Sequence, residues 1–234
     1  MNSSSVFQGK DRSALVEAFR AMPTGNICDA MEQLGLGCGA VHGLSPVSMT
    51  QPRAVGFAVT VRQATRHHVA KERQLAKHAA VIDDLLGPDD MLVIDAGGRK
   101  DVCTGGAILA LRAQIKGAAG FVVNGCMRDV REIAELDFPV HLTGSSPVKS
   151  SPTLQTVAIN EVVEIGHTQI RPGDLIVTDD TGIVTIAIEV AQQVLARAQE
   201  IQAKEAFITQ LVKESISFSD ALRRHVEQEL AQKS

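Results

Sequence analysis

The chain has 234 residues, of which 44% are hydrophobic and 21% are charged, and its formal net charge is −4. This composition is typical of a globular protein, and the absence of a basic block in the sequence argues against a nucleic-acid partner. The first residues lack the apolar segment of a signal peptide, and no apolar run reaches the roughly 20 residues of a membrane span. We therefore expect a cytoplasmic protein without a membrane-spanning segment.

The first third of the sequence predicts helices around a single strand. Residues 11–21 and 26–34 have helical spacing, and Asn26 is expected to cap the second helix. A loop rich in Gly, Ser and Pro covers residues 35–52, and the apolar residues 54–61 predict a strand. Helical periodicity returns over residues 68–86.

The middle of the chain alternates strands with helices. Strands are predicted at 91–95, 121–124 and 139–142, and helices at 106–116 and 128–136. This order implies parallel strand pairing with helical crossovers.

The pattern changes after residue 143. Residues 155–169 alternate in the manner of antiparallel strands, and a hairpin turn at 179–182 joins strands 175–178 and 183–186. Two helices follow, at 189–212 and 217–232. We expect one catalytic domain over residues 1–188 and a helical arm over 189–234 that packs on a neighbouring subunit.

A pair of glycines, Gly105 and Gly106, opens the predicted helix at 106–116. The amino end of a helix offers unpaired amides and a positive dipole end, which attract carboxylates or phosphates. An ordinary turn between a loop and a helix is the alternative.

A charged cluster, Arg128, Asp129 and Glu132, follows the predicted strand at 121–124. Ligands of α/β sheets gather at the carboxyl ends of strands, so this cluster and Gly105–Gly106 are expected to line one crevice. On a helix, Asp129 and Glu132 would share a face, and carboxylates favour Mg²⁺ or Mn²⁺. The alternative is a helix start that carries solvated charges.

Several ordered segments together resemble the RraA-like family, which includes the class II 4-hydroxy-4-methyl-2-oxoglutarate and 4-carboxy-4-hydroxy-2-oxoadipate aldolases. The segments are CDAM at 28–31, AVGFAVTV at 54–61, NGCMRD at 124–129, RPGD at 171–174 and DDTGIV at 179–184. The resemblance covers residues 25–210. It implies an α/β fold, a swivelling ββα-type domain with a central mixed sheet and a C-terminal helical arm, assembled as trimers or hexamers.

The resemblance also assigns roles to the site residues. The carboxylate of a pyruvate-like group would bind the helix start, and Arg128 would contact the substrate's oxo group. Asp129 would hold the divalent metal, Mg²⁺ or Mn²⁺, and Glu132 belongs to the same pattern. Glu205 of a neighbouring subunit is expected to reach the waters on the metal. The helix start comprises Gly106, Ala107, Ile108 and Leu109.

These roles imply a metal-dependent lyase that cleaves small 4-hydroxy-2-oxo acids to pyruvate, with oxaloacetate decarboxylation as a side activity. The alternative is a protein-binding regulator of ribonuclease activity that performs no chemistry. The sequence departs from the family at Asn124, where Asp is usual, and over residues 67–74.

Overall fold

The computed structural model describes residues 10–66, 78–150 and 153–232. Its helices are α1 (Lys10–Arg20), α2 (Thr24–Gln33), α3 (His78–Leu85), α4 (Ala107–Ile115), α5 (Val130–Glu135), α6 (Ala191–Lys213) and α7 (Phe218–Gln232). Its strands are β1 (Ser45–Pro46), β2 (Ala54–Thr65), β3 (Asp90–Asp95), β4 (Cys103–Gly105), β5 (Gly120–Met127), β6 (Val140–Ser145), β7 (Leu154–Ile159), β8 (Val163–Ile165), β9 (Thr168–Ile170), β10 (Leu175–Thr178) and β11 (Ile183–Ile186).

The main sheet is mixed, with the strand order β1-β6-β5-β3-β2-β10-β11. Strands β2, β3, β5 and β6 run parallel, and helices α3, α4 and α5 lie on the connections between them. Strands β10 and β11 add an antiparallel hairpin to β2, while β4 pairs with β5 and β7 with β2. This arrangement confirms the predicted α/β class and the parallel centre of the sheet.

The parallel strands are apolar throughout because both faces of the sheet are covered. In β3, Leu92 and Ile94 pack into the cluster that contains the inner faces of α3, α4 and α5. Their neighbours Met91 and Val93 point to the opposite face, where they pack with side chains of β8 and β9.

A third cluster joins α1, α2 and α6 to β2, β10 and β11. The α6 side of this cluster includes Val194, Leu195, Ala198 and Ile201, all buried within the same chain. The domain boundary at residue 188 and the packing of the arm on another subunit stay predictions. Within the described ranges, no helix combines the length and apolarity needed to cross a membrane.

A buried carboxylate, Asp179, ties α2 to the turn between β10 and β11. Its Oδ1 accepts hydrogen bonds from the Thr24 hydroxyl at 2.7 Å and the Thr181 amide at 3.0 Å, and its Oδ2 accepts one from the Thr24 amide at 3.0 Å. Burial raises the pKa of Asp179, but these hydrogen bonds outweigh burial and hold the pKa below its usual value. The same bonds explain why α2 begins at Thr24 rather than at the predicted cap, Asn26.

His141 on β6 is fully buried beside this turn. Its Nε2 lies 3.0 Å from the backbone oxygen of Asp179, and its Nδ1 lies 3.2 Å from the side-chain nitrogen of Gln51. Burial lowers the pKa of His141, which favours the neutral ring in the folded protein.

Long-range pairing extends or divides several predicted elements. Strand β2 continues beyond residue 61 to Thr65 because residues 62–65 pair with β7. The alternating segment 155–169 consists of β7, β8 and β9. Of the helix predicted over 68–86, the structure describes the second half, where α3 (His78–Leu85) is present. The first part of that prediction, residues 68–77, lies outside the described ranges.

The helix predicted at 128–136 is shorter than expected. Arg128 follows the end of β5, Asp129 has left-handed dihedrals (φ 58°, ψ 40°), and α5 begins at Val130. The prediction that Asp129 and Glu132 share one face of a helix is therefore wrong, because the backbone turns at Asp129 before the helix begins.

Candidate active site

Both predicted segments line one open pocket of about 200 Å³. One wall comes from the start of α4 and includes Gly105, Gly106, Ile108 and Leu109, while Arg128 and Asp129 face it. The short strand β4 brings the walls together, because it pairs with β5 and the Arg128 amide donates to the Gly105 oxygen at 3.0 Å. The expected common crevice is thus present, at the carboxyl ends of β4 and β5.

Gly106 leaves the space that the two charged side chains use. A Cβ atom at this position would lie 2.5 Å from Asp129 Oδ2 and 3.0 Å from Arg128 Cγ. The backbone of Gly106 is extended (φ −157°, ψ −170°), a conformation open to any residue. The requirement for glycine here comes from close approach and not from the backbone dihedrals.

Asp129 is held at the amino end of α4. Its Oδ2 accepts a hydrogen bond from the Ala107 amide at 3.4 Å and lies 3.5 Å from Arg128 Nε. Left-handed dihedrals are uncommon for a residue other than glycine, and such conformations concentrate at functional sites. The side chains of Arg128 and Asp129 are 40% and 41% exposed, so a solute can reach both.

Two amides of the helix start that is predicted to bind a carboxylate already donate hydrogen bonds within the protein. Leu109 donates its amide to the Gly106 oxygen at 3.0 Å, and Ala107 donates to Asp129. Gly106, Ile108 and Leu109 line the pocket, whereas Ala107 contributes through its contact with Asp129. The positive end of the α4 dipole nevertheless faces this space, and it favours an anion.

The two predicted glutamates lie away from the pocket lining. Glu132 is exposed in the first turn of α5. Glu205 is on α6, where its Oε2 accepts a hydrogen bond from the Asn26 side chain at 2.7 Å. Within one chain, neither completes the pocket, and the participation of Glu205 from a neighbouring subunit stays a prediction.

Four pocket residues escaped the sequence reasoning: Cys103, Thr104, Lys149 and Ser150. Lys149 and Ser150 lie in the Ser/Pro-rich segment after β6, which has no periodic pattern. A parallel bridge between Cys103 and Lys149 brings this segment to the pocket. Such a long-range pairing leaves no local sequence signal.

Asn124, the departure from the family pattern, has a specific partner. Its side-chain nitrogen donates to Asp95 Oδ1 at 2.8 Å, and its oxygen lies 3.4 Å from the Thr143 hydroxyl. An aspartate in its place would bring a second carboxylate against Asp95, and like charges at this separation repel. Asn124 thus holds the ends of β3 and β5 together with a neutral side chain.

Comparison with known proteins identifies the family. Residues 24–185 match the model of the RraA-like family, described as Aldolase/RraA. A Halalkalibacterium halodurans protein named "Putative 4-hydroxy-4-methyl-2-oxoglutarate aldolase" is 30% identical over 212 residues, which span 91% of this chain and 93% of the relative. An Arabidopsis thaliana protein of the same name, numbered 3, is 32% identical over 173 residues, 73% of this chain and 98% of its own.

Solved structures show the same fold. Streptomyces coelicolor RraAS2, described as an unusual member of the RNase ES inhibitor RraA protein family, is 27% identical and matches with a TM-score of 0.75 over 86% of this chain and 98% of its own. An uncharacterized protein from Pseudomonas syringae pv. tomato is 23% identical and reaches a TM-score of 0.79 over 89% of this chain and 96% of its own. The family model matches residues 24–185, which are most of this chain, and the chain therefore belongs to the RraA-like family.

Proposed function

We propose that the protein is a divalent-metal-dependent lyase that cleaves 4-hydroxy-2-oxo acids to pyruvate. The observation that carries the proposal is the apposition of Arg128 and Asp129 with the glycine-led start of α4 around one open pocket. A guanidinium, a carboxylate and a helix amino end suit a substrate that presents a carboxylate beside an oxo group. The aldolase names of the two relatives support the same reaction class.

The site fits Mg²⁺ or Mn²⁺ held by one protein carboxylate. Among the described residues, no three His, Cys, Asp or Glu side chains converge into a complete metal cage. Mg²⁺ commonly keeps several waters and uses one or two carboxylates together with substrate oxygens. Asp129 is the carboxylate that would hold the cation, because it lines the pocket and its side-chain contacts with Ala107 and Arg128 involve only one of its two oxygens, Oδ2. When bound, the metal would polarise the substrate's 2-oxo group as a Lewis acid.

The residues of the pocket would then bind and stabilise the reacting atoms. The C4 hydroxyl loses its proton, the C3–C4 bond breaks, and C4 becomes a carbonyl carbon. The electron pair of that bond passes to C3 and delocalises onto the 2-oxo oxygen, to which Arg128 donates. Protonation at C3 releases pyruvate. Glu205 of a neighbouring subunit is proposed to take the proton from the C4 hydroxyl and to return it at C3. Glu132 lies outside the pocket lining of its own chain, so any part it plays is proposed to depend on the oligomer.

Oxaloacetate decarboxylation is proposed as a side activity because it passes through the same enolate. In that reaction the C3–C4 bond breaks with loss of carbon dioxide, and the electron pair again moves toward the 2-oxo oxygen. The same stabilisation by Arg128 would serve both substrates.

An oligomer is proposed to complete the site. Three apolar side chains on α4 are exposed in the single chain: Ile108 (78%), Leu111 (42%) and Ile115 (67%). They lie on one side of the helix, and Ile108 also lines the pocket. A contiguous exposed apolar strip favours contact with another protein surface, which we take to be a second copy in a trimer or hexamer.

The second candidate is a non-catalytic, RraA-type regulator of ribonuclease activity, and the fold match to Streptomyces coelicolor RraAS2 favours it. A regulator of this kind needs a docking surface but no exposed Arg–Asp pair in a pocket. It predicts no pyruvate release and no effect of an Asp129 substitution on the binding of its partner.

Pyruvate release from 4-hydroxy-4-methyl-2-oxoglutarate and from oxaloacetate, with and without EDTA, tests the proposal. We expect turnover that EDTA abolishes and that Asp129→Asn lowers by roughly 100-fold or more, as for loss of a transition-state contact. Asp137→Asn is the matched control, because Asp137 is also exposed, has φ 51° and lies beyond the other end of α5. Absence of EDTA-sensitive turnover on both substrates would refute the lyase proposal.

A further inference from the structure

The sequence predicts that Asn26 caps α2, and the structure gives its side chain a different partner. The helix begins at Thr24, whose hydroxyl and amide donate to Asp179. Asn26 therefore lies inside the first turn of α2, where it is 7% exposed. Its side-chain nitrogen donates to Glu205 Oε2 at 2.7 Å, across 179 positions of the chain. A side chain that the cap does not need thus holds a carboxylate of α6.

Helix α6 carries Glu205 at a fixed place against α2. Ile201, one turn before Glu205 on the same face, is buried in the cluster that joins α6 to α1 and α2. The Gln202 side chain donates to the Ala21 oxygen at 3.0 Å, just before α2 begins. An exposed glutamate on a fixed backbone ordinarily turns among several rotamers, and the hydrogen bond from Asn26 favours one of them.

The donor to Glu205 is neutral, in contrast to the partner of another glutamate on the same helix. Glu200 forms an ion pair with Arg197. In the described part of the chain, Glu205 forms no ion pair with a lysine, arginine or histidine. An adjacent cation would favour the charged carboxylate and oppose its protonation. An amide orients the carboxylate without adding a charge, which suits a group that takes up a proton and returns it.

We propose that Asn26 is a positioning residue, which orients the Glu205 carboxylate toward the C4 hydroxyl of a substrate in the pocket of a neighbouring subunit. This inference rests on the proposed lyase function and on the role of Glu205 within it. Asn26 itself touches neither the substrate nor the metal. Its loss lets the carboxylate turn among other rotamers, so that the proton transfers slow while the substrate still binds.

A double-mutant cycle in the intact protein tests this role, with pyruvate release from 4-hydroxy-4-methyl-2-oxoglutarate as the assay. Asn26→Leu removes the donor at similar volume, and Asn26→Ser keeps a polar side chain that is too short to reach Glu205. Glu205→Gln removes the base but keeps an oxygen that can accept from Asn26. Each Asn26 variant is made alone and together with Glu205→Gln.

Gln33→Met is the matched control for a general loosening of α2 against α6. Gln33 lies at the other end of α2, and its side-chain oxygen accepts a hydrogen bond from Arg197 at 2.8 Å. The variant therefore removes a contact between the same two helices that does not involve Glu205. kcat, KM and the melting temperature are measured for every protein, and Asn26→Ser decides the outcome where Asn26→Leu fails to fold.

Glu205→Gln is expected to lower kcat by roughly 100-fold, as for loss of a general base. Asn26→Leu and Asn26→Ser should each lower kcat by roughly 10-fold, with KM within about 2-fold of the wild-type value. The double variants should match Glu205→Gln within about 2-fold, because Asn26 acts through Glu205. Gln33→Met should keep the wild-type kcat.

Four results would overturn the role of Asn26 and leave the lyase function standing. They are wild-type kcat in Asn26→Ser, a loss that falls on KM, additive losses in the double variants, and an equal loss of kcat in Gln33→Met. Wild-type kcat in Glu205→Gln would likewise overturn it, since Asn26 would have no base to position. A wild-type protein without EDTA-sensitive pyruvate release would overturn both this inference and the lyase function.

Discussion

Replacing Gly106 with alanine should lower the activity strongly and the stability of the fold only slightly. The added Cβ would lie 2.5 Å from Asp129 Oδ2 and 3.2 Å from Arg128 Nε, whereas ordinary contacts begin at 3.4 Å. Alanine can adopt the extended backbone of residue 106, so the backbone has no reason to change and the neighbouring side chain must yield. The Asp129 carboxylate must therefore move away by roughly 0.9 Å or rotate.

The magnitudes of the two effects should differ sharply. The clashing atoms belong to half-exposed side chains that can rotate, so we expect the free energy of unfolding to fall by no more than about 1 kcal/mol. A displacement near 1 Å in a reacting site costs on the order of 100-fold in rate. Gly106→Ala should therefore lose about two orders of magnitude in kcat/KM while it keeps its fold.

The assay is steady-state pyruvate release at saturating Mg²⁺, alongside urea unfolding of the same samples. Gly87→Ala is the matched control, because a Cβ at that position meets its nearest neighbour, Asp90, at an ordinary 3.7 Å. Wild-type kcat/KM in Gly106→Ala would refute the reasoning, since the positions of Arg128 and Asp129 could then not matter.

Three further predictions concern stability and assembly. Asp179→Asn should destabilise the protein by about 2 kcal/mol in urea unfolding, because an amide nitrogen would face N–H donors, while exposed Asp180→Asn should change little. The pKa of His141 is lower in the folded protein than in the unfolded chain, so as the pH falls below about 6.5 this histidine takes up a proton in the unfolded chain before it does in the folded protein. The free energy of unfolding should therefore decrease by up to about 1.4 kcal/mol for each unit that the pH falls, and His141→Gln should flatten that slope. Ile115→Lys should shift the light-scattering mass toward the monomer, whereas Met49→Lys, at a similarly exposed apolar position in the loop before β2, should not; an unchanged mass for Ile115→Lys would contradict the α4 interface.

The periodic parts of the fold could be predicted from the sequence because their causes are local. Strand β3 is apolar on both faces, and the helix after Gly106 follows a glycine pair, so each carries its own pattern. Ligands of α/β sheets gather at the carboxyl ends of strands. This rule alone predicts that the helix start at Gly106 and the charged cluster at Arg128 line one pocket.

The remaining features depend on contacts between distant residues. Strand β4 exists because it pairs with β5, and α2 begins at Thr24 because that residue reaches Asp179, 155 positions away. Lys149 reaches the pocket through a bridge to Cys103, and no pattern around residue 149 indicates it. The left-handed turn at Asp129 likewise reflects its place beside α4, and it is why α5 begins at Val130 and not at residue 128, where the sequence predicts the start of the helix.

Metal titration of the stripped protein tests the central proposal most directly. Protein treated with EDTA and desalted is supplied with increasing Mg²⁺, and pyruvate release from 4-hydroxy-4-methyl-2-oxoglutarate is followed in wild type and Asp129→Asn. We predict that wild-type activity is absent without metal and returns along a saturable curve, while Asp129→Asn stays inactive or needs at least about 10-fold more Mg²⁺. Full activity of the stripped protein, or identical curves for both proteins, would contradict a metal-dependent lyase centred on Asp129.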